Sequence, residues 1–483
     1  MARIMKHVYL GVALALALAP VLSLAQKPDS KAFAVYQLPE AKRIKLPNGL
    51  VILLLEKHEL PLTSISVTLR SGSLQDPDGK PGESAITEEL LRRGTETKTA
   101  AQIADEIDFI GMQFGGGGFG GRGGGGGGSS YDSTEISADF MAKDTDKALG
   151  IVADVVLHPA FPADELTKVI AQRQEQLKTE KDNVQGALGQ YFLAALYAGH
   201  PYSRSTLTTS ASLASITRDD IVAFYKRVYT PPNAVVAVAG DFNSAQMEAK
   251  LKELFGAWKG VAPVPVVVPV AKPIVGKHVI LVDKPDATQT YFMLGNIGIS
   301  QTDPDRAPLR IVNTLFGGRF TSMFNEELRV KSGYSYGASS SFALYRTPGP
   351  FIMSTYTRNA TTEPAIDKTF EVLARVHTHP MTDADLTSAK NYLRGTFPPS
   401  LETTPELVRE LGLLETAGIS QAQFNKELVD EQATTLADAN RVIDQHFPSD
   451  NYVLVIIGKA SEIGSLGPKY GQVTAKKITD PGF

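Results

Sequence analysis

Along the chain the spacing of apolar positions switches repeatedly between two and 3.6 residues, which predicts alternating strands and helices. Arg43 to Leu46 and Leu50 to Leu55, joined by Pro47-Asn48-Gly49, read as a hairpin, and Leu62 to Ser71 as a further strand. A short helix is expected from Ser84, then a helix over Thr99 to Ile110 and a strand over Thr134 to Phe140. Helices are expected over Lys143 to Val156, Pro162 to Lys181, Gly186 to Ala198 and Arg218 to Val228. Ala234 to Ala239 is apolar throughout and so reads as a strand buried on both faces.

The second half repeats this order about 220 residues later. Asn233-Ala-Val-Val-Ala-Val-Ala-Gly240 matches Asn451-Tyr-Val-Leu-Val-Ile-Ile-Gly458, and Pro162-Ala-Asp-Glu-Leu166 resembles Thr382-Asp-Ala-Asp-Leu386. A repeat of this length signifies duplicated domains. The fold class expected is α+β: two tandem homologous domains, 26–260 and 274–483, each a mainly antiparallel sheet flanked by helices. Val261 to Pro273, rich in proline and valine, reads as a stiff extended linker.

Composition adds bounds. With 43% hydrophobic and 21% charged residues, the chain is ordinary for a globular protein. Residues 1–25 carry Arg3 and Lys6 and then an apolar run ending in Ser-Leu-Ala, which reads as a cleaved secretory signal and implies a periplasmic or otherwise secreted protein. Its removal leaves 46 basic against 52 acidic residues, a net charge of −6. That mildly acidic balance, with no cluster of Lys and Arg, argues against nucleic acid as a partner, and no later apolar run is long enough to span a bilayer. There is no cysteine, so neither disulfides nor thiolate ligands are available. Gly115 to Gly128 holds twelve glycines in fourteen residues and reads as a mobile loop. No Gly-Lys-Ser/Thr follows it, so a phosphate-binding role is not indicated.

The stretch with the most chemistry is Ser84-Ala-Ile-Thr-Glu-Glu-Leu-Leu-Arg-Arg-Gly-Thr95. Ser84 is the expected N-cap and Gly94 the stop, and Ala85, Glu88 and Glu89 share a helical face. Inverted zinc peptidases carry His-x-x-Glu-His at this spacing, two metal ligands enclosing a general base. Here the pattern is Ala-x-x-Glu-Glu, which reads as an exposed acidic pair.

The chain as a whole resembles the pitrilysin and insulin-degrading enzyme family, and in particular its two-subunit branch of bacterial and mitochondrial-processing peptidases. The resemblance rests on Leu46-Pro-Asn-Gly-Leu50, Gly72, Gly79-Lys-Pro-Gly82, Gly94-Thr95, Pro159-Ala-Phe-Pro162, His200-Pro-Tyr202, Leu315-Phe-Gly-Gly318 and Leu328-Arg329, in that order. It implies the metallohydrolase fold of the family. It also puts the first zinc histidine at Ala85, the catalytic glutamate at Glu88, the second histidine at Glu89 and the third ligand at Gln176, so no zinc ligand survives and no metal is expected in this chain. Of the eight histidines, only His377 and His379 form a close pair, and they read as a solvated turn.

The resemblance further implies that Arg329 and Tyr336 hold the substrate and its transition state, with Gly317, Gly318 and Tyr334 as further substrate-contacting positions. Guanidinium and phenol donors suit a developing oxyanion in a water-poor chamber. The function implied is that of a non-catalytic subunit. A homologous partner with an intact His-x-x-Glu-His motif would bring zinc, and this chain would bring Arg329 and Tyr336 to a shared peptide chamber. Two alternatives stand beside it: a degenerate peptide-binding or structural protein without a peptidase partner, and a serine hydrolase. The latter would use Ser335 in Gly333-Tyr-Ser-Tyr-Gly337, although a nucleophile elbow needs a strand before its serine and a helix after it, and here the expected order is reversed.

Overall fold

The computed structural model describes residues 35–115, 130–379 and 381–483. Two six-stranded mixed sheets organise it. The first contains β1 (Lys42–Lys45), β2 (Val51–Glu56), β3 (Leu62–Leu69), β4 (Gln113–Gly115), β5 (Thr134–Met141) and β6 (Ala234–Gly240), in the order β1-β2-β6-β3-β5-β4. The second contains β7 (Lys277–Asp283), β8 (Gln289–Ile297), β9 (Ala338–Phe342), β10 (Pro350–Arg358), β11 (Tyr452–Gly458) and β12 (Gln472–Lys477), in the order β12-β7-β11-β8-β10-β9. The repeat seen in sequence is thus a repeat of topology: β6 and β11 hold the same place, each parallel to one neighbour and antiparallel to the other. Both sheets are mainly antiparallel, with one parallel pairing in the first and two in the second.

Both faces of each central strand are covered. In β6, Ala234, Val236 and Val238 join the core under the first half's own helices, while Val235, Ala237 and Ala239 face the helix Thr404–Ala417. In β11, Leu454 and Ile456 belong to the second half's core, while Val453, Val455 and Ile457 pack with Leu188 and Phe192 of the helix Val184–Leu196. Each half therefore lends one helix to the far face of the other's sheet, which is why residues 36–483 form one compact unit. Burying each such Val, Leu or Phe contributes about 1.5–3 kcal/mol, so the exchanged helices bind the halves through ordinary core packing.

A polar seam adds to this. Tyr131, Tyr202 and Tyr345 meet with ring centroids about 5 Å apart, Tyr345 edge to face with each of the other two. The Tyr345 neighbour Arg346 pairs with Asp132 at 3.4 Å. The stretch from Val261 to Pro273 has no regular structure, as its prolines predict. It is tied down where His200 Nε2 meets the Pro269 carbonyl at 2.9 Å. The predicted leader and nearly all of the glycine run lie outside the described residues. Among the described residues no helix is long and apolar enough to cross a membrane.

Candidate functional site

The helix expected after an N-cap at Ser84 spans Glu83–Leu90, two residues earlier than the sequence suggests. Its N-cap is Gly82, at φ 95°, and the capping acceptor comes from outside: the Asp76 carboxylate accepts from the Gly82 and Ser84 amides at 2.8 and 2.7 Å. Ser84 is therefore not the cap. Asp76 satisfies the amides that a local side chain would otherwise serve.

Ala85 is half-buried and lines a cavity of about 740 Å³ together with Arg173, Gln176, Tyr131 and Tyr345. The expected exposed pair of acids is not there. Glu88 is 2% exposed, and burial pushes its carboxyl up to about 8, with Arg92 and Arg173 pulling the other way. Glu89 is half-buried and bound on both sides. Its Oε2 accepts from Arg173 Nη2 and Nε at 2.9 and 3.1 Å, and its Oε1 from Arg93 at 3.2 Å. The helix Ala163–Glu180 presents Arg173 and Gln176, three residues apart on one face, to this place.

These residues do not fit zinc. Ala85 offers no donor, the Glu89 oxygens are taken by guanidinium groups and Gln176 offers only a neutral amide. The positive charge at this place is that of Arg173, bound to Glu89. Among the described residues no group of three or more His, Cys, Asp or Glu side chains could hold a metal ion. His377 lies 3.7 Å from Asp444, and His379 Nδ1 meets the Thr378 hydroxyl at 3.0 Å.

The second candidate centre is built differently. The helical segment Met323–Asn325 widens into a π-helical turn over Glu326–Lys331, which carries Arg329. The Arg329 guanidinium lies between two rings, 4.6 Å from the Phe320 centroid and 4.4 Å from that of Tyr336. Tyr336 is 73% exposed, so this stack stands at the surface. Arg329, Gly317 and Gly318 line a cleft of about 460 Å³, with Arg319, Phe320, Tyr356 and Tyr392. Gly317 is required for packing: a Cβ there would sit 2.6 Å from the Ser340 amide nitrogen on β9.

Tyr334 does not line this cleft. Its ring packs against the second core and its carbonyl accepts from the Thr357 hydroxyl at 2.7 Å; Tyr336 is exposed and likewise does not line the cleft, meeting it only through its stack on Arg329. Ser335 Oγ accepts from Thr355 Oγ1 at 2.8 Å and from the Gly337 amide at 3.0 Å, and donates to the Gly337 carbonyl at 2.7 Å. No histidine or carboxylate among the described residues bonds to it. A helical turn precedes it and strand β9 follows, the reverse of a nucleophile elbow.

The cleft at Arg329 and the cavity at Ala85 share no lining residue. Sequence reasoning did not single out Arg173, Phe320, Arg319 or Tyr392. Arg173 was signalled by its position one helical turn before Gln176, and Phe320 by its place just after Gly317-Gly318.

Comparison with known proteins places these two centres in context. Residues 51–210 match the model of the insulinase family, peptidase family M16, and residues 215–393 that of the M16 peptidase inactive domain. An uncharacterized zinc protease of Mycobacterium leprae is 28% identical over 375 residues, covering 77% of this chain and 82% of its own. One of Bacillus subtilis is 25% identical over 427 residues, covering 88% and 100%. Among solved structures, an M16 inactive domain from Pseudomonas fluorescens superposes with a TM-score of 0.80 at 24% identity, over 87% of this chain and 98% of that one. A protease from Helicobacter pylori does so with 0.77 at 20%, over 87% and 100%.

Proposed function

We propose a function from one premise: the chain belongs to peptidase family M16, the insulinase family. Within that family it acts as the non-catalytic subunit of a heterodimeric zinc endopeptidase of the cell envelope, exported by the leader in residues 1–25. A homologous partner with intact His-x-x-Glu-His and a third glutamate ligand supplies the metal and the general base. This chain supplies Arg329 and Tyr336, which hold the peptide backbone and the charge that develops on its carbonyl oxygen, and it forms half of the chamber.

The observation that carries the reading is the contrast between the two centres. At the first, a guanidinium is bound to Glu89 and no donor set for a metal stands beside it among the described residues. At the second, a guanidinium held between two rings is offered at an open cleft with no bond to another described residue. A chain that had merely decayed would be under no physical demand to keep an exposed Tyr336 stacked on a half-buried arginine that has no acidic partner. None of the residues lining the Arg329 cleft is a histidine or a carboxylate, so this centre suits action on a metal site brought by another chain.

Co-expression with a homologue that retains His-x-x-Glu-His tests this. A one-to-one complex with chelator-sensitive cleavage of a quenched peptide is expected, with zinc in the partner only. Peptide binding by this chain without any partner-dependent turnover would assign it instead to the peptide-binding class.

A further inference from the structure

The cleft at Arg329 holds more positive charge than the proposed role of Arg329 uses. Arg319 also lines it. Its guanidinium lies 5.8 Å from the Tyr392 ring centroid, and its Nη1 donates to the Ser388 hydroxyl at 3.0 Å, while its Nε is buried without a hydrogen-bond acceptor. Neither Arg319 nor Arg329 pairs with a carboxylate among the described residues, and none of the cleft's lining residues is acidic. The nearest acids along the chain are already neutralised: Glu326 by Lys331 at 3.2 Å, and Glu327 by Lys331 at 2.9 Å and Arg375 at 2.8 Å. The remaining walls are aromatic or neutral, with Phe320, Tyr291, Tyr356, Ser339, Ser354 and Gln185 among them.

We infer that Arg319, backed by Tyr392, forms a carboxylate-recognising subsite beside Arg329, so that the peptides this cleft selects bear a carboxylate, from an acidic side chain or a free C-terminus. The inference rests on the proposed peptide-holding role of Arg329 and adds the substrate class. Two guanidinium groups in one partly desolvated cleft repel each other and raise the free energy of the empty site, and an anion relieves both costs. A carboxylate matches the planar fork of a guanidinium and can accept two parallel N–H bonds from it. Arg329 is left to the backbone carbonyl beside its two rings, and the Arg319 guanidinium, with Nη1 on Ser388 and Nε buried, has Nη2 without a hydrogen bond to a described residue. Aromatic walls on either side suit a flanking apolar or aromatic residue of the peptide.

The test is equilibrium binding of the full chain to short rhodamine-labelled peptides, read by fluorescence anisotropy. One neutral sequence is used in four forms: C-terminally amidated with Gln at a central position, amidated with Glu there, amidated with the Glu moved along the peptide, and Gln-containing with a free C-terminus. At least one carboxylate-bearing form is expected to bind about tenfold or more tightly than the neutral form, and which one it is identifies the source of the carboxylate. Arg319→Gln should bring that form down to the level of the neutral one, Arg319→Lys should keep part of the preference, and raised salt should shrink it. Equal affinity for all four forms, no binding to any of them, or a preference that survives in Arg319→Gln would overturn the inference. The assay contains no partner and reads no turnover. Failure to form an active heterodimer would sink the proposed function while leaving this result standing, and an active pair with no carboxylate preference would do the reverse.

Discussion

Replacing Glu88 by glutamine is expected to stabilise the chain above neutral pH and to change little near pH 5. Glu88 is 2% exposed, and burial raises its carboxyl from 4.5 to about 8. The native state therefore holds a proton that the unfolded chain has released. Below pH 4.5 both states are protonated and the group contributes no pH dependence. Between pH 4.5 and about 8, stability falls as pH rises, at about 1.4 kcal/mol per pH unit, and the whole interval bounds the effect at about 5 kcal/mol. Glutamine has nearly the shape of the protonated acid and no proton to lose, so Glu88→Gln removes this slope.

Asp76, raised to about 6, and Glu83, raised to about 7, are both shifted chiefly by burial and keep slopes of the same sign. The variant should thus still lose stability toward alkaline pH, but less steeply. Urea unfolding followed by circular dichroism from about pH 5 to about pH 9 measures it: the stability difference should start near zero and widen by up to about 5 kcal/mol. Parallel curves across that range would mean that Glu88 is ionised in the folded chain, and would refute the reading of this position as a neutral buried acid.

Other outcomes follow from the same geometry. Gly317→Ala forces a Cβ against the Ser340 amide nitrogen and should lower stability by about 1–3 kcal/mol, whereas Gly318→Ala meets Asn313 only at 3.0–3.1 Å and should lower it less; thermal unfolding of the two compares them. Restoring the family's ligands through Ala85→His, Glu89→His and Gln176→Glu should give weak zinc binding while Arg173 remains, and tighter binding once Arg173→Ala is added, as isothermal titration would show; equal affinity with and without Arg173 would contradict competition between its charge and the metal. Arg173→Gln alone leaves the half-buried Glu89 with only Arg93 and should lower stability by about 1–2 kcal/mol, with Glu89→Gln in the same chain recovering part of the loss.

Much of the architecture was legible in the sequence because periodicity reports burial. Ala234–Gly240 and Tyr452–Gly458 are apolar at every position but the terminal glycine because helices cover both of their faces, and their matching context gave the duplication. What a single stretch does not record is its partner. Ser64, Ser66 and Thr68 on β3 alternate with Ile65, Val67 and Leu69 as if one face met water. All six are buried, the polar face lying under the helix Thr404–Ala417, where Ser64 Oγ meets Thr404 Oγ1 at 2.7 Å. Asp76 took the capping role from Ser84 for a similar reason, since its carboxylate is brought to the helix start by a turn that has no periodicity to read.

At the candidate sites the residue types at Ala85, Glu88, Glu89 and Gln176, and the spacing of Arg329 and Tyr336, could be read from the sequence. The ion pair at the first site could not, because Arg173 reaches Glu89 only through the packing of two helices distant in sequence. The same holds for the burial of Glu88, where an exposed acid was expected.

Turnover in trans tests the divided-site reading most directly. This chain is titrated into a fixed amount of a partner carrying intact His-x-x-Glu-His, and cleavage of a quenched peptide is followed. Neither chain alone should cleave, and activity should rise to a plateau at one-to-one stoichiometry and vanish with a chelator. With Arg329→Ala the plateau should come at the same stoichiometry but lie lower by a factor on the order of 10²–10³, the loss of one transition-state donor. Chelator-sensitive cleavage by this chain alone, or a partner whose activity is the same with and without it, would contradict that reading.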